Sequence, residues 1–209
     1  MKWMVLIAGL ILLLTQTVFG QDKIGAPTWK VGDKWAFTQG MKVEVLEANE
    51  NGYLVNLQNQ TILFDKSTLN KIFTLQGNKK ETYRGNQKKL LNFPLMIGKG
   101  WKDKYAEVLK WEDTYTSKIS GSTVGEETQI FEDYKVLGWE ELDLRAGRFK
   151  AVKVEYKKWW SSPDTGMIEG KSWYWYCPEV RYLIRYQYDK SQMWSKFSNW
   201  ELVSFESMK

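Results

Sequence analysis

Apolar and polar residues alternate with a period of two along most of the chain after residue 20. Met41, Val43 and Val45 are separated by charged residues, and the Asn51-Gly52 pair precedes a second alternating run. A period of two is typical of a strand with one buried face, and Asn-Gly favours a tight hairpin turn. Similar runs recur near residues 61–65, 69–75, 103–118, 127–137, 148–160, 170–177, 181–189 and 193–206. The pattern predicts an all-β protein with a single antiparallel sheet curled into a barrel or half-barrel, or alternatively a β-sandwich.

The clearest hairpin surrounds residues 161–166, which read Ser-Ser-Pro-Asp-Thr-Gly. Proline, aspartate and glycine each favour a turn. Folding the chain back at this point places three residues of one strand opposite three of the next: Val152, Val154 and Tyr156 opposite Cys177, Trp175 and Trp173. This register predicts that Trp173 and Trp175 face the core, while Tyr174 and Tyr176 face solvent.

The first 20 residues have the order of a secretory signal peptide. Lys2 precedes twelve apolar residues (3–14), and a more polar stretch ends at Gly20, after which we expect cleavage. The alternative is a membrane anchor, but twelve residues cover only ~18 Å of a ~30 Å bilayer core. We therefore expect a signal peptide over residues 1–20, a single all-β domain over residues 21–209, and no stable membrane span after cleavage.

The composition excludes several kinds of catalytic, metal and disulfide site and indicates a cellular compartment. The 209 residues include no histidine and one cysteine, Cys177. These counts exclude Ser-His-Asp catalysis, imidazole metal sites, an internal disulfide and a thiolate metal cage, so we expect no metal and no cofactor. Cys177 is expected to be buried and unreactive, because no histidine can activate the thiol. An exported domain that lacks disulfides suggests the bacterial periplasm, and the net charge of +5 is too small to suggest nucleic acid as a partner.

Four segments of the chain resemble a group of uncharacterised exported bacterial β-sheet proteins, from families of unknown function. They are Val-Gly-Asp-Lys-Trp-Ala-Phe at 31–37, Phe-Pro-Leu with Gly-Lys-Gly-Trp at 93–101, Ala-Gly-Arg-Phe-Lys-Ala-Val-Lys-Val at 146–154 and Trp-Tyr-Cys-Pro-Glu-Val at 175–180. The resemblance covers most of residues 29–188 and implies an exported domain whose long sheet wraps into a barrel or half-barrel. Cys177 departs from the group, which usually has a small residue there, and the resemblance implies no catalytic or binding residue.

Tryptophan is the unusual component, with twelve in the chain. Four crowd the hairpin described above and are the candidate ligand-binding residues: Trp159, Trp160, Trp173 and Trp175. Such rings either fill the core, line an apolar cavity, or form a stacking platform for sugars. The carboxylate clusters, including Glu132-Asp133 and Glu140-Glu141, are expected to be solvated.

Three functions remain open. The first is a non-catalytic exported domain that binds an apolar or amphiphilic, lipid-like ligand, or an envelope protein, through the inner face of the curved sheet. The second is a carbohydrate-binding module that uses exposed tryptophans on a glycan. The third is a carboxylate-dependent hydrolase, which needs two carboxyl groups facing each other across a cleft.

Overall fold

The computed structural model describes residues 23–77, 79–82, 89–110, 125–162, 166–189 and 199–208. The expected signal peptide lies outside the described residues. Twelve strands cover most of the rest. They are β1 (Lys34–Phe37), β2 (Lys42–Asn49), β3 (Gly52–Leu57), β4 (Gln60–Phe64), β5 (Lys71–Gln76), β6 (Lys79–Thr82), β7 (Gly100–Lys110), β8 (Gly125–Leu144), β9 (Gly147–Ser162), β10 (Gly166–Cys177), β11 (Tyr182–Tyr188) and β12 (Trp200–Glu206).

All twelve strands belong to one antiparallel sheet, in the order β6-β5-β4-β3-β2-β1-β12-β11-β10-β9-β8-β7. The order follows the chain except where β12 lies between β1 and β11. Because β6 and β7 lie at opposite ends of this order, the sheet is not closed and curls into a half-barrel. The predicted all-β class and single curled sheet are confirmed.

The only helical element among the described residues is a short 3₁₀ turn, Thr38–Gly40. In that part of the chain, no helix has the length and apolar character that crossing a membrane requires.

Two segments outside the sheet contribute buried side chains to the core. The N-terminal segment contributes Trp29, 2% exposed, and the segment before β7 contributes Leu91 and Leu95, 2% and 0% exposed. Ile24 and Leu95 exchange backbone hydrogen bonds and so join the two segments. They pack against the inward residues of the sheet, such as Trp35 and Val55. The inner face of the half-barrel is therefore occupied by the protein's own side chains here.

An ion pair with a buried carboxylate joins the segment before β1 and the residues after β12 to the turn after β10. The Asp33 carboxylate, 0% exposed, lies 2.9 Å from the Arg181 guanidinium and accepts a hydrogen bond from the Met208 backbone N–H. The Trp35 indole N–H donates to the Val180 carbonyl at 2.9 Å. The first and last of the four resembling segments thus meet in space, which gives them a structural role.

The predicted register of the β9–β10 hairpin is wrong by one residue. Tyr174 and Tyr176 lie opposite Val154 and Val152, while Trp175 lies opposite Lys153. Directly opposite residues project to the same face of a sheet, so the tyrosines share the valine face and the tryptophans share the lysine face.

The reason for the error is that both faces of this hairpin bury aromatic rings. Tyr176 is 1% exposed and Trp175 is 2% exposed. The charged ends of lysine and arginine side chains lie over the tryptophan rings, so the tryptophan-bearing face also carries the polar residues. The apolar–polar alternation therefore did not distinguish the two faces.

Candidate functional site

The tryptophan face of the sheet is defined here by Phe131, Lys153, Glu155, Trp159, Trp173, Trp175 and Arg185, on strands β8 to β11. Cations and indole rings alternate across it. The Lys153 ammonium lies 5.0 Å from the Trp175 ring centroid and 5.7 Å from that of Trp173. The Arg185 guanidinium lies 5.2 Å from Trp175, and the Lys171 ammonium 5.2 Å from Trp173. These distances are within the range of cation–π attraction.

Two carboxylates, Glu140 and Glu155, bind the cations and one indole of this face. Glu140 accepts a hydrogen bond from the Trp175 indole at 2.7 Å and one from Lys153 at 2.9 Å. Burial opposes ionisation of Glu140, but these bonds and the nearby positive charges outweigh it and hold its pKa below the usual value. The Glu155 carboxylate lies 2.7 Å from the Lys171 ammonium. Trp175 is therefore held by specific polar contacts as well as by burial.

A hollow of about 480 Å³ opens farther along the same face. Phe131 and Trp159, directly opposite on β8 and β9, form its aromatic part. Lys102 and Lys104 line it from β7, and Asp133 lines it from β8. Trp159 is half-buried. The volume falls within the ~300–1,000 Å³ range of small-molecule sites.

The opposite face carries a row of aromatic rings in contact with one another, and we call it the tyrosine face. Successive strands from β7 to β11 contribute one member each: Trp101, Tyr134, Tyr156, Tyr174 and Tyr186. Neighbouring centroids are 5.1, 4.9, 5.8 and 5.0 Å apart. Such contacts add to the free energy gained from burial alone.

A buried carboxylate lies among these rings. Glu132, 3% exposed, accepts hydrogen bonds from the Tyr134 and Tyr156 hydroxyls, each at 2.7 Å. Asp103 lies directly opposite Glu132 on β7, and Lys158 lies directly opposite it on β9. Burial raises the pKa of Asp103, and the charge of Glu132 raises it further, against a hydrogen bond from the Lys89 backbone N–H.

The prediction that these carboxylates are solvated is therefore wrong for Glu132. Asp103 and Glu132 are 29 positions apart in sequence, and only the β7–β8 register brings them together. Both oxygens of Glu132 are engaged by tyrosines from β8 and β9, an arrangement that joins these strands rather than presenting a carboxylate to solvent. Its sequence signal is weak: an acidic residue at an inward position of an alternating strand.

The four candidate tryptophans are only partly brought together. Trp173 and Trp175 both contact the Lys153 ammonium, and Trp159 lies on the same face at the hollow. The side chain of Trp160 lies outside the described residues. Phe131 and Lys104 join Trp159 at the hollow, and sequence reasoning missed them because they come from two other strands.

Cys177 is buried, as predicted, with 0% exposure. Burial raises the pKa of its thiol, which disfavours the reactive thiolate. Within the described ranges, no group of three or more histidine, cysteine, aspartate or glutamate residues could hold a metal ion.

Comparisons with known proteins give matches in structure only. No protein-family model matches the chain, and no curated protein matches it. Its structure is similar to that of the hypothetical lipoprotein YmcC from Escherichia coli, with a TM-score of 0.48 and 12% identity over 89% of this chain and 90% of that one. It is also similar to a putative exported protein with a YmcC-like fold from Bacteroides fragilis (TM-score 0.38, 12% identity) and a putative lipoprotein from Parabacteroides distasonis (TM-score 0.38, 17% identity). Both of these similarities cover 89% of this chain and 100% of the other. None of the three descriptions states an activity.

Proposed function

We propose that the protein is an exported, non-catalytic β domain that binds an amphiphilic ligand at the hollow beside Trp159. Export rests on the sequence of residues 1–20, with a mature chain beginning at Gln21 in the periplasm. Recovery of exported protein that still carries residues 1–20 would contradict this part of the proposal.

The observation that carries the binding proposal is the composition of the hollow. Two aromatic side chains, Phe131 and Trp159, adjoin exposed polar groups in a space of about 480 Å³. Small-molecule sites typically combine a mainly apolar lining with a few polar groups. The inner face of the sheet, where sequence reasoning placed the ligand, is packed with core side chains such as Tyr176 and Val154.

Trp175 supports the proposal indirectly. It is 2% exposed and hydrogen-bonded to Glu140, so its role is to hold the face that carries the hollow. Trp173 is half-buried between Lys153 and Lys171. A ligand at the hollow therefore meets Trp159 first.

The test is binding of a fluorescent apolar probe to the mature protein and to Trp159→Ala. We expect the variant to bind at least about fivefold more weakly, because the ligand loses an aromatic contact surface. Trp139→Ala is the matched control, since Trp139 is also half-buried, with the Lys150 ammonium 5.1 Å from its ring, but does not line the hollow. Equal probe binding by Trp159→Ala and the wild type would contradict the proposal. Trp159-dependent retention on immobilised glycans without probe binding would replace it with carbohydrate recognition.

A further inference from the structure

The charges around the hollow indicate which class of amphiphile it accepts, an inference that rests on the proposed function. Lys102 and Lys104 are two residues apart on β7, so both side chains project to the tryptophan face. The Lys104 ammonium lies 5.1 Å from the Phe131 ring centroid, at the aromatic part of the hollow. The Lys102 ammonium lies 3.5 Å from the Asp133 carboxylate, and its side chain is 81% exposed.

Both lysines can turn to a ligand at small cost. An exposed ion pair contributes little to stability, so Lys102 can exchange Asp133 for another anion. The exposed cation–π contact between Lys104 and Phe131 is also weak. A ligand could replace this contact by placing an apolar group over the Phe131 ring and an anionic group beside the Lys104 ammonium.

On the tryptophan face, the hollow is lined by two lysines and one carboxylate, Asp133. Asp133 lies between Lys102 on β7 and Lys157, which is opposite it on β9. The remaining acidic lining residues, Asp103 and Glu132, alternate with these positions on their strands and belong to the tyrosine face, where Glu132 binds two hydroxyls. At the β7 edge of the hollow, a head group would therefore meet Lys102 and Lys104, with Asp133 already paired to Lys102. The exposed Glu169 lies directly opposite Trp159, on the β10 side of the hollow.

We infer that the ligand is a single-chain amphiphile with an anionic head group, a carboxylate or a phosphate monoester, and that Lys104 with Lys102 selects it. The apolar chain lies over Phe131 and Trp159, and the head group binds the ammonium groups of β7. The volume of about 480 Å³ suits one chain or one small ring system.

The test compares ligands that share one chain and differ in charge. The mature protein is titrated by calorimetry, below micelle-forming concentrations, with dodecanoate, dodecyl phosphate, dodecyl maltoside and dodecyltrimethylammonium. We expect at least one anion to bind about fivefold or more tightly than the neutral and cationic ligands, with the preference shrinking as salt is added. The two anions separate a carboxylate specialist from a phosphate specialist.

Substituting single lysines tests whether they cause the preference for anionic ligands. Lys104→Gln is expected to reduce the preference for the anion about three- to fivefold, with little change for the neutral ligand. Lys150→Gln is the matched control, because it removes a similar exposed cation–π contact, over Trp139. Its ligand preference should equal that of the wild type.

The outcomes separate this inference from the proposed function. Binding that depends on Trp159 but is equal for all four head groups, or is strongest for the cation, would overturn the anion inference alone. An anion preference that Lys104→Gln and Lys102→Gln both leave intact would also overturn it. Failure of all four amphiphiles and of the apolar probe to bind would overturn the proposed function itself.

Discussion

At the scale of single residues, two buried carboxylates show how the strands are held together, because each has several hydrogen-bonding or charged partners. Glu132 and Asp33, 3% and 0% exposed, each hold partners from more than one element. A buried polar group without partners is costly, so such residues fix the relative positions of the strands that carry them. Glu132 thus contributes to the register of β8 and β9, and Asp33 holds the segment before β1 against Arg181 and Met208.

Replacing Glu132 tests this role. Glu132→Leu leaves the Tyr134 and Tyr156 hydroxyls without their acceptor, and we expect the free energy of unfolding to fall by about 2–5 kcal/mol. Glu132→Gln keeps an acceptor oxygen and should cost less. Glu141→Gln, on the same strand but exposed, is the control and should stay within about 0.5 kcal/mol of the wild type. Urea unfolding measures all three, and a Leu variant as stable as the wild type would show that the cluster does not hold β8 to β9.

Trp175 gives a second prediction at this scale. Trp175→Ala removes a ring that is 2% exposed and leaves Glu140 without its indole donor. We expect the free energy of unfolding to fall by about 3–5 kcal/mol, because the variant loses buried apolar surface and keeps a residual cavity. Trp173→Ala, at a half-buried ring, should lose clearly less. Chemical unfolding measures both variants. If their free energies of unfolding fell by comparable amounts, the two rings would be equally buried in solution.

At the scale of the element, the position of the β9–β10 hairpin followed from the sequence, but its register did not. The β9–β10 turn lies where its proline and glycine predict, yet Ser162 pairs with Gly166, so three residues separate the closing pair. A one-residue difference in turn length exchanges the two faces of a strand. The alternation in this hairpin fits either choice, because aromatic residues occupy both faces.

The β2–β3 turn allows a sharper test of local conformation. Asn49 pairs with Gly52, whose φ is +143°. A Cβ on Gly52 would lie 2.3 Å from the Phe64 carbonyl oxygen on β4. Gly52→Ala should therefore destabilise the protein by more than about 2 kcal/mol, as measured by thermal unfolding.

Gly40→Ala is the matched control for this variant. Gly40 also has a positive φ, +75°, but no atom of the described residues lies within 4 Å of a Cβ built there. Only backbone strain should therefore lower the stability of this variant. If the two variants were equally stable, the close approach of β3 to β4 would not be the reason for glycine at position 52.

At the scale of the whole molecule, several neutral tyrosines are buried or half-buried in the half-barrel. Burial raises the pKa of Tyr182 to about 12, and it also raises the pKa values of Tyr174 and Tyr186. Between pH ~10 and pH 12, the unfolded chain releases these protons and the folded protein retains them. Stability is therefore complete below pH ~10 and falls as the pH rises above it.

This pH dependence can be measured by urea unfolding at a series of alkaline pH values. We expect the unfolding midpoint to fall progressively above pH ~10, with tyrosinate absorbance rising together with loss of structure. Tyr182→Phe should flatten the decline, by up to about tenfold in the unfolding equilibrium constant per pH unit, because one coupled proton is removed. An unchanged slope in this variant would show that Tyr182 titrates equally in both states.

The sequence by itself determined the properties that depend on local pattern: the all-β class, the single curled sheet and the positions of the β2–β3 and β9–β10 turns. Period-two alternation and turn residues act over a few positions, so they are readable without tertiary contacts. Only the tertiary structure decided which face each aromatic ring occupies, because the cations over the indole rings and the bond from the Tyr156 hydroxyl to Glu132 come from neighbouring strands. The hollow belongs to this second group, since Lys104, Phe131 and Trp159 come from three strands and meet only through the sheet register.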